Sequence, residues 1–171
     1  MRRVWSVVLC AALAASAIAQ GPSGERWRAA TPAELEAVLP ARAAVEKEHI
    51  ETEMRTANGI INSHNQVIAA VVLITAGYAA DGKYSHFFLI QSPLVLDGHL
   101  RLNPGSYVVG WRRSDDGLEV HFFDSSTGVE RGVAIARRRL GTTSVESFYI
   151  WPPGEHKEIQ IGRFFLPYSL P

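Results

Sequence analysis

Residues 104–124 read PGSYVVGWRRSDDGLEVHFFD, and this stretch decides the fold. Tyr107, Val109 and Trp111 fall on one face of its first half, and Leu118, Val120 and Phe122 on one face of its second, the period of two that half-buried strands show. Ser114-Asp115-Asp116-Gly117 supplies turn residues between them. The two apolar sets coincide only when the numbers of facing residues sum to an odd value, which sets Trp111 opposite Val120 and Val109 opposite Phe122. A slip of one residue would put Trp111 in water. The same register brings Arg112 opposite Glu119 on the other face, a cross-strand ion pair suited to a wetter surface. The stretch predicts a β-hairpin.

Working outward, residues 67–75, VIAAVVLIT, are apolar on both faces, as expected of a strand covered on each side. Asp81-Gly82-Lys83 turns the chain into a strand over 84–91, with Tyr84, Phe88 and Ile90 on one side and Phe87 and Leu89 on the other. Residues 94–102, broken at Asp97-Gly98, form a small hairpin or two short strands around a bend. Beyond the central hairpin, strands are expected around Val133 and Ile135, over 145–151 up to Pro152-Pro153-Gly154, and over 159–166 before Pro167. Seven to eight short strands joined by Gly, Pro, Asp and Ser turns make the chain mainly β, an antiparallel β-sandwich of transthyretin or immunoglobulin type, with a small β-barrel as the alternative.

The N-terminal part reads differently. Arg2-Arg3, the apolar run 4–15 and Ala17-Ile18-Ala19 describe a secretion signal of bacterial type over residues 1–19, with cleavage expected before Gln20. Residues 20–44 are expected to form a leader and a short helix, and 45–171 the β-sandwich domain. In the helix, Thr31 is the N-cap, Pro32 sits in the first turn, Glu34 reaches back to the cap, Leu35, Val38 and Leu39 form the buried side, and Pro40 ends it. Over 41–59, Ala43, Ile50, Met54 and Ala57 keep helical spacing. Ile50, Thr52, Met54 and Thr56 also alternate with charged residues, which favours a strand over 48–61 that folds back on 67–75 through Asn62-Ser63-His64-Asn65.

Leu102-Asn103-Pro104-Gly105-Ser106-Tyr107 resembles the L-x-P-G-x-Y corner of bacterial transthyretin-like and carboxypeptidase-regulatory-like β-sandwich modules. The resemblance spans six residues. It implies a Pro-Gly reversal and a tyrosine hydroxyl bonded back to the corner backbone, and it carries no catalytic residue with it.

Cys10, the single cysteine, lies in the expected signal, so an exported chain has no disulfide, thiol nucleophile or thiolate metal site. Without Arg2 and Arg3, fifteen basic residues stand against seventeen acidic ones, which makes nucleic acid a poor partner. After the signal, no stretch is long and apolar enough to cross a membrane as a helix.

Four constellations could carry chemistry. His49, Glu51 and Glu53 would share one side of a strand and could hold a hard divalent ion, although a solvated charged face is the stronger reading of them. Ser85 and His86 look like a nucleophile beside its base, yet neighbours in a strand point to opposite faces, so His86 reads as a core histidine beside Phe88 and Ile90. Arg137-Arg138-Arg139 could grip phosphate or carboxylate, but alternation turns Arg138 away from its neighbours, and a solubilising strand end whose charges discourage edge pairing is the stronger reading. Tyr78, Tyr84, Trp111, Tyr149, Trp151 and Tyr168 could build a stacking platform for a saccharide or peptide. Tyr84, His86, Trp111, His121 and Trp151 are the candidate ligand or partner contacts.

No reactive constellation or cofactor emerges, so the sequence predicts an exported, periplasmic or extracellular, non-catalytic binding or accessory module of the bacterial envelope with a protein or saccharide partner. Two other functions compete with it. A lipocalin-like carrier of a small apolar ligand needs Phe88, Trp111 and Phe122 to line a cavity. A metal-dependent hydrolase needs His49, Glu51 or His121 to converge with other polar groups.

Overall fold

A computed structural model of the protein describes residues 26–75, 83–141, 144–154 and 156–171. The expected signal with Cys10, Tyr78 and the Asp81-Gly82 turn lie outside the described residues.

The central hairpin forms as its pattern dictates. Strands β9 (Gly105–Ser114) and β10 (Gly117–Asp124) pair with Trp111 opposite Val120, Val109 opposite Phe122 and Arg112 opposite Glu119. Arg112 Nε donates to Glu119 Oε2 at 2.5 Å on the outer face. At the base of β9 the Tyr107 hydroxyl donates to the Asn103 carbonyl at 2.7 Å, the back-bonded corner implied by the L-x-P-G-x-Y segment.

Strands β4 (Asn58–Ile61), β5 (Val67–Leu73) and β6 (His86–Ile90) extend one side of this hairpin, with the two-residue β1 (Arg28–Ala29) at the edge, and β11 (Glu130–Arg138) extends the other. All of these pairings are antiparallel. The ladder then turns a corner, because β11 pairs with β14 (Phe164–Ser169) only through Arg137 and Arg138 at its end. From there β13 (Glu158–Gly162) and β12 (Glu146–Ile150), together with the small hairpin β7 (Leu94–Leu96) and β8 (Leu100–Leu102), form the second layer. The sheet stays open, an antiparallel sandwich and not a closed barrel.

The interior between the layers takes Val71, Phe88, Ile90, Val109, Val120, Phe122, Ala134 and Ala136 from the first, and Leu94, Leu102, Phe148, Ile150, Ile159, Ile161 and Leu166 from the second. The Phe88 ring lies 6.0 Å from that of Phe122 and 5.9 Å from that of Phe148, so these aromatics fill the interior by packing on one another. Each such side chain contributes about 1.5–3 kcal/mol by leaving water.

Strand β5 is apolar on both faces because both are covered. Helix α1 (Pro32–Glu36) and the hairpin β2 (Arg42–Val45) with β3 (Glu48–Glu51) lay Leu35, Leu39, Ala43, Val45 and Ile50 on its outer side, against Val67, Ala70, Val72 and Phe87. The predicted capping box of α1 is present: the Glu34 amide donates to Thr31 Oγ1 at 3.4 Å, and the Thr31 amide donates to Glu34 Oε2 at 2.8 Å.

Three expected elements divide differently. The strand over 48–61 is two strands, β3 and β4, separated by a single 3-10 turn at Met54–Thr56, so β3 pairs with β2 and only β4 folds back on β5. The strand over 159–166 is a hairpin: Ile161 pairs with Phe164 around Gly162-Arg163, with Gly162 at φ 61°, a backbone region that glycine enters without strain. Pro167 therefore sits inside β14, not beyond the last strand.

The third difference is at the start of β6. Tyr84 packs with Phe87 and Phe123 on the outer side, not with Phe88 and Ile90. His86 is the residue paired with Val109, yet it is the Ser85 amide that donates to the Val109 carbonyl, at 2.8 Å. One extra residue thus enters the strand as a bulge, and the alternation reverses across it.

Candidate functional site

The sandwich has an open mouth where the tip of the central hairpin, the end of β11 and the β13–β14 turn meet. Arg113 and Arg138 reach it by alternation. Arg113 has the parity of Val109 and Trp111, and Arg138 that of Ala134 and Ala136, so both continue inward-facing rows one step past their last apolar member. Arg163 arrives on the β13–β14 turn, and Arg138 pairs across the ladder with Phe164.

Beneath these arginines lie two adjoining clefts. The larger, about 530 Å³, has Trp111, Leu118, Ile161 and Phe164 as its apolar surfaces, with Arg112 and Arg113 beside them. The smaller, about 330 Å³, shares Arg113, Val145 and Phe164 with it and adds Arg138 and Arg163. The Arg113 guanidinium sits 5.5 Å from the centre of the Phe164 ring, which orients it without neutralising it. Among the described residues no carboxylate lies within ion-pair reach of Arg113, Arg138 or Arg163, nor of the dispersed Arg26, Arg42 and Arg101, whereas Arg28, Arg55, Arg112, Arg131, Arg137 and Arg139 each hold one. Glu146 is an acidic residue of the larger cleft's wall, and its carboxylate accepts from the Ser144 hydroxyl at 3.0 Å. Guanidinium forks around an apolar floor suit a group that carries phosphate or carboxylate on an apolar body.

The three arginines of 137–139 separate as alternation requires. Arg137 bonds Asp97 at 3.0 Å, and Arg139 bonds Glu158 while lying 4.4 Å from the Phe165 ring centre. Arg138 alone of the three joins the mouth. Sequence reasoning set the run aside as a solubilising strand end and missed Arg113 and Arg163. Extending the rows Val109–Trp111 and Ala134–Ala136 by one more step would have found Arg113 and Arg138 together.

The other candidates are dispersed. His49 and Glu51 project from the exposed face of β3, and Glu53 lies beyond it, its carboxylate 3.3 Å from Arg55. Among the described residues no three His, Cys, Asp or Glu side chains gather as a metal site would need. Tyr84 is buried, and its hydroxyl donates to Glu46 Oε1 at 2.6 Å; burial, with Glu46 beside it, raises its pKa. Trp111 borders the mouth. His121, on the opposite face of the hairpin, lies 3.3 Å from Glu130 and 3.7 Å from Glu119 in a second depression of about 480 Å³ that includes Lys83 and Phe123 and shares Trp111 and Arg112 with the larger cleft. Trp151 donates through Nε1 to the buried Gln160 at 3.2 Å and packs on Tyr149 at 4.7 Å, while Tyr168 is buried. The aromatics therefore form no single platform among the described residues.

Ser85 and His86 do touch, contrary to the expectation from strand alternation, because the bulge turns both side chains into one region: Ser85 Oγ is 3.0 Å from His86 Nδ1. The serine has one hydroxyl hydrogen, and it goes to the Val109 carbonyl at 3.1 Å. Ser85 then accepts from Nδ1–H, the reverse of the donation a serine nucleophile makes to its base. His86 is 3% exposed between Trp111 and Phe148, at ring distances of 5.2 Å to each, and burial pushes its pKa down to about 4. A core histidine is what these contacts describe.

No family model, curated protein or solved structure matches the chain. Among the described residues no helix is long and apolar enough to cross a membrane.

Proposed function

We propose that the chain is an exported, non-catalytic binding module of the bacterial envelope, and that it holds an envelope component bearing phosphate or carboxylate at the arginine-rimmed mouth of its sandwich. One observation carries this reading: Arg113, Arg138 and Arg163, from three separate parts of the chain, surround a shared apolar floor without a carboxylate partner among the described residues. Arginines that served only solubility would gain nothing from converging there, and their mutual repulsion is relieved when an anion sits between them.

Phenyl phosphate tests the reading, since its ring matches the floor and its phosphate the rim. Calorimetric titration is expected to show binding that weakens about tenfold or more in Arg138→Gln, with a further loss when Arg113→Gln is added, because each charge-assisted bond is worth about 1.5–3 kcal/mol. Equal affinity in wild type and the double variant, or no binding by either, would contradict it.

A further inference from the structure

Two exposed apolar side chains, Leu140 and Val145, stand near the residues of the mouth. Leu140, 91% exposed, follows Arg138 by two residues, and Val145, 58% exposed, re-enters at the wall of both clefts. Leu140 lines neither cleft, so a ligand held inside them would leave it in water. Arg113, Arg138 and Arg163 stand around the same end, while the chain as a whole has no net charge. Three guanidiniums without a carboxylate partner among the described residues thus share the end that carries Leu140 and Val145, while Val129, also exposed, lies between β10 and β11.

We propose that this end seats the protein on an anionic lipid surface, with the three arginines on lipid phosphates and Leu140 and Val145 in the interfacial region beneath them. The proposal rests on the reading of the mouth as an anion site and assigns its partner. Long arginine side chains can hold phosphates at headgroup level while their stems cover Phe164, and a leucine beyond them reaches the acyl boundary. An acidic protein would satisfy the arginines but would need a matching pocket for Leu140, whereas a bilayer interface accepts it without one.

The test is co-sedimentation of the protein with phosphatidylcholine vesicles, with and without phosphatidylglycerol, run beside the phenyl phosphate titration. Binding is expected only with phosphatidylglycerol and should weaken as salt rises. It should fall about a hundredfold in Arg113→Gln/Arg138→Gln/Arg163→Gln, since each basic residue near such a surface contributes a several-fold factor. Leu140→Gln should weaken vesicle binding about tenfold while leaving the phenyl phosphate affinity and the melting temperature unchanged. Absence of vesicle binding with phenyl phosphate still bound would overturn the lipid proposal alone. Equal binding to neutral vesicles, or no effect of Leu140→Gln, would overturn it as well. Loss of both kinds of binding in the wild type would overturn the anion site itself.

Discussion

At the scale of single residues, His86 dominates the expected response to acid. Its neighbours Trp111 and Phe148 exclude water, and the native imidazole is held down to about 4 against an ordinary 6.5. The unfolded chain therefore takes up a proton at this position between pH 6.5 and 4 while the native state does not. Stability is complete above about pH 6.5, declines as pH falls, and levels off near 4, where the native ring also protonates; the total is about 3 kcal/mol. Carboxylates act lower. The Arg28 guanidinium and the Thr31 cap hold Glu34 down to about 2, and Ser126 and Arg131 hold Asp124 below the usual range, so their contributions are lost only as pH drops below the ordinary values of 4.5 and 3.8. Calorimetric melting between pH 7 and 4.5 should therefore show a falling melting temperature in wild type and a flatter profile in His86→Phe, which keeps the aromatic stack but cannot be protonated. A wild-type profile that is level across that window would contradict the burial of a neutral ring. Tyr107→Phe removes only the bond to the Asn103 carbonyl and should cost about 1 kcal/mol in urea unfolding.

Among the elements, the exposed edge of β12 is closed by a side chain. Asn58 Nδ2 donates to the Phe148 carbonyl at 2.6 Å, and its Oδ1 accepts from the Ile150 amide at 2.9 Å, so one amide from β4 ties the first layer to the second in the way a neighbouring strand would. Asn58→Ala leaves two part-buried backbone groups unpaired and should lower stability by about 2–3 kcal/mol, measured by the urea midpoint. Gly110→Ala should be worse, about 3 kcal/mol or more, because its Cβ would come within 2.0 Å of the Lys83 carbonyl where the chain enters β6. The central hairpin was legible because both faces and the turn pointed to one register, and the Tyr107 corner and the Thr31 cap because each is a local bond encoded within a few residues. The bulge at Ser85 was not, since it depends on how β6 meets β9 across the sheet. The Gly162-Arg163 turn was hidden by an apolar run that reads as one strand when taken alone. The arginine mouth was missed for a related reason: Arg113, Arg138 and Arg163 are far apart in sequence, and only the corner between β11 and β14 brings them together.

For the whole molecule, the open sandwich matters because it leaves one end of the interior uncapped. The opposite case, a closed barrel around a ligand cavity, would separate Phe88 from Phe122, whereas these rings pack on one another. What remains open is a rim of cations over aromatic and aliphatic side chains, and the function proposed here follows from that combination. The most direct measurement is side-chain NMR of the arginine Nε–Hε groups during titration with phenyl phosphate. The signals of Arg113, Arg138 and Arg163 should shift together along a single saturating curve, with the Trp111 indole following, while Arg28 and Arg131, already bound to carboxylates, stay in place. Shifts spread evenly over all arginines, or no saturation at any of the three, would contradict a binding site at the mouth.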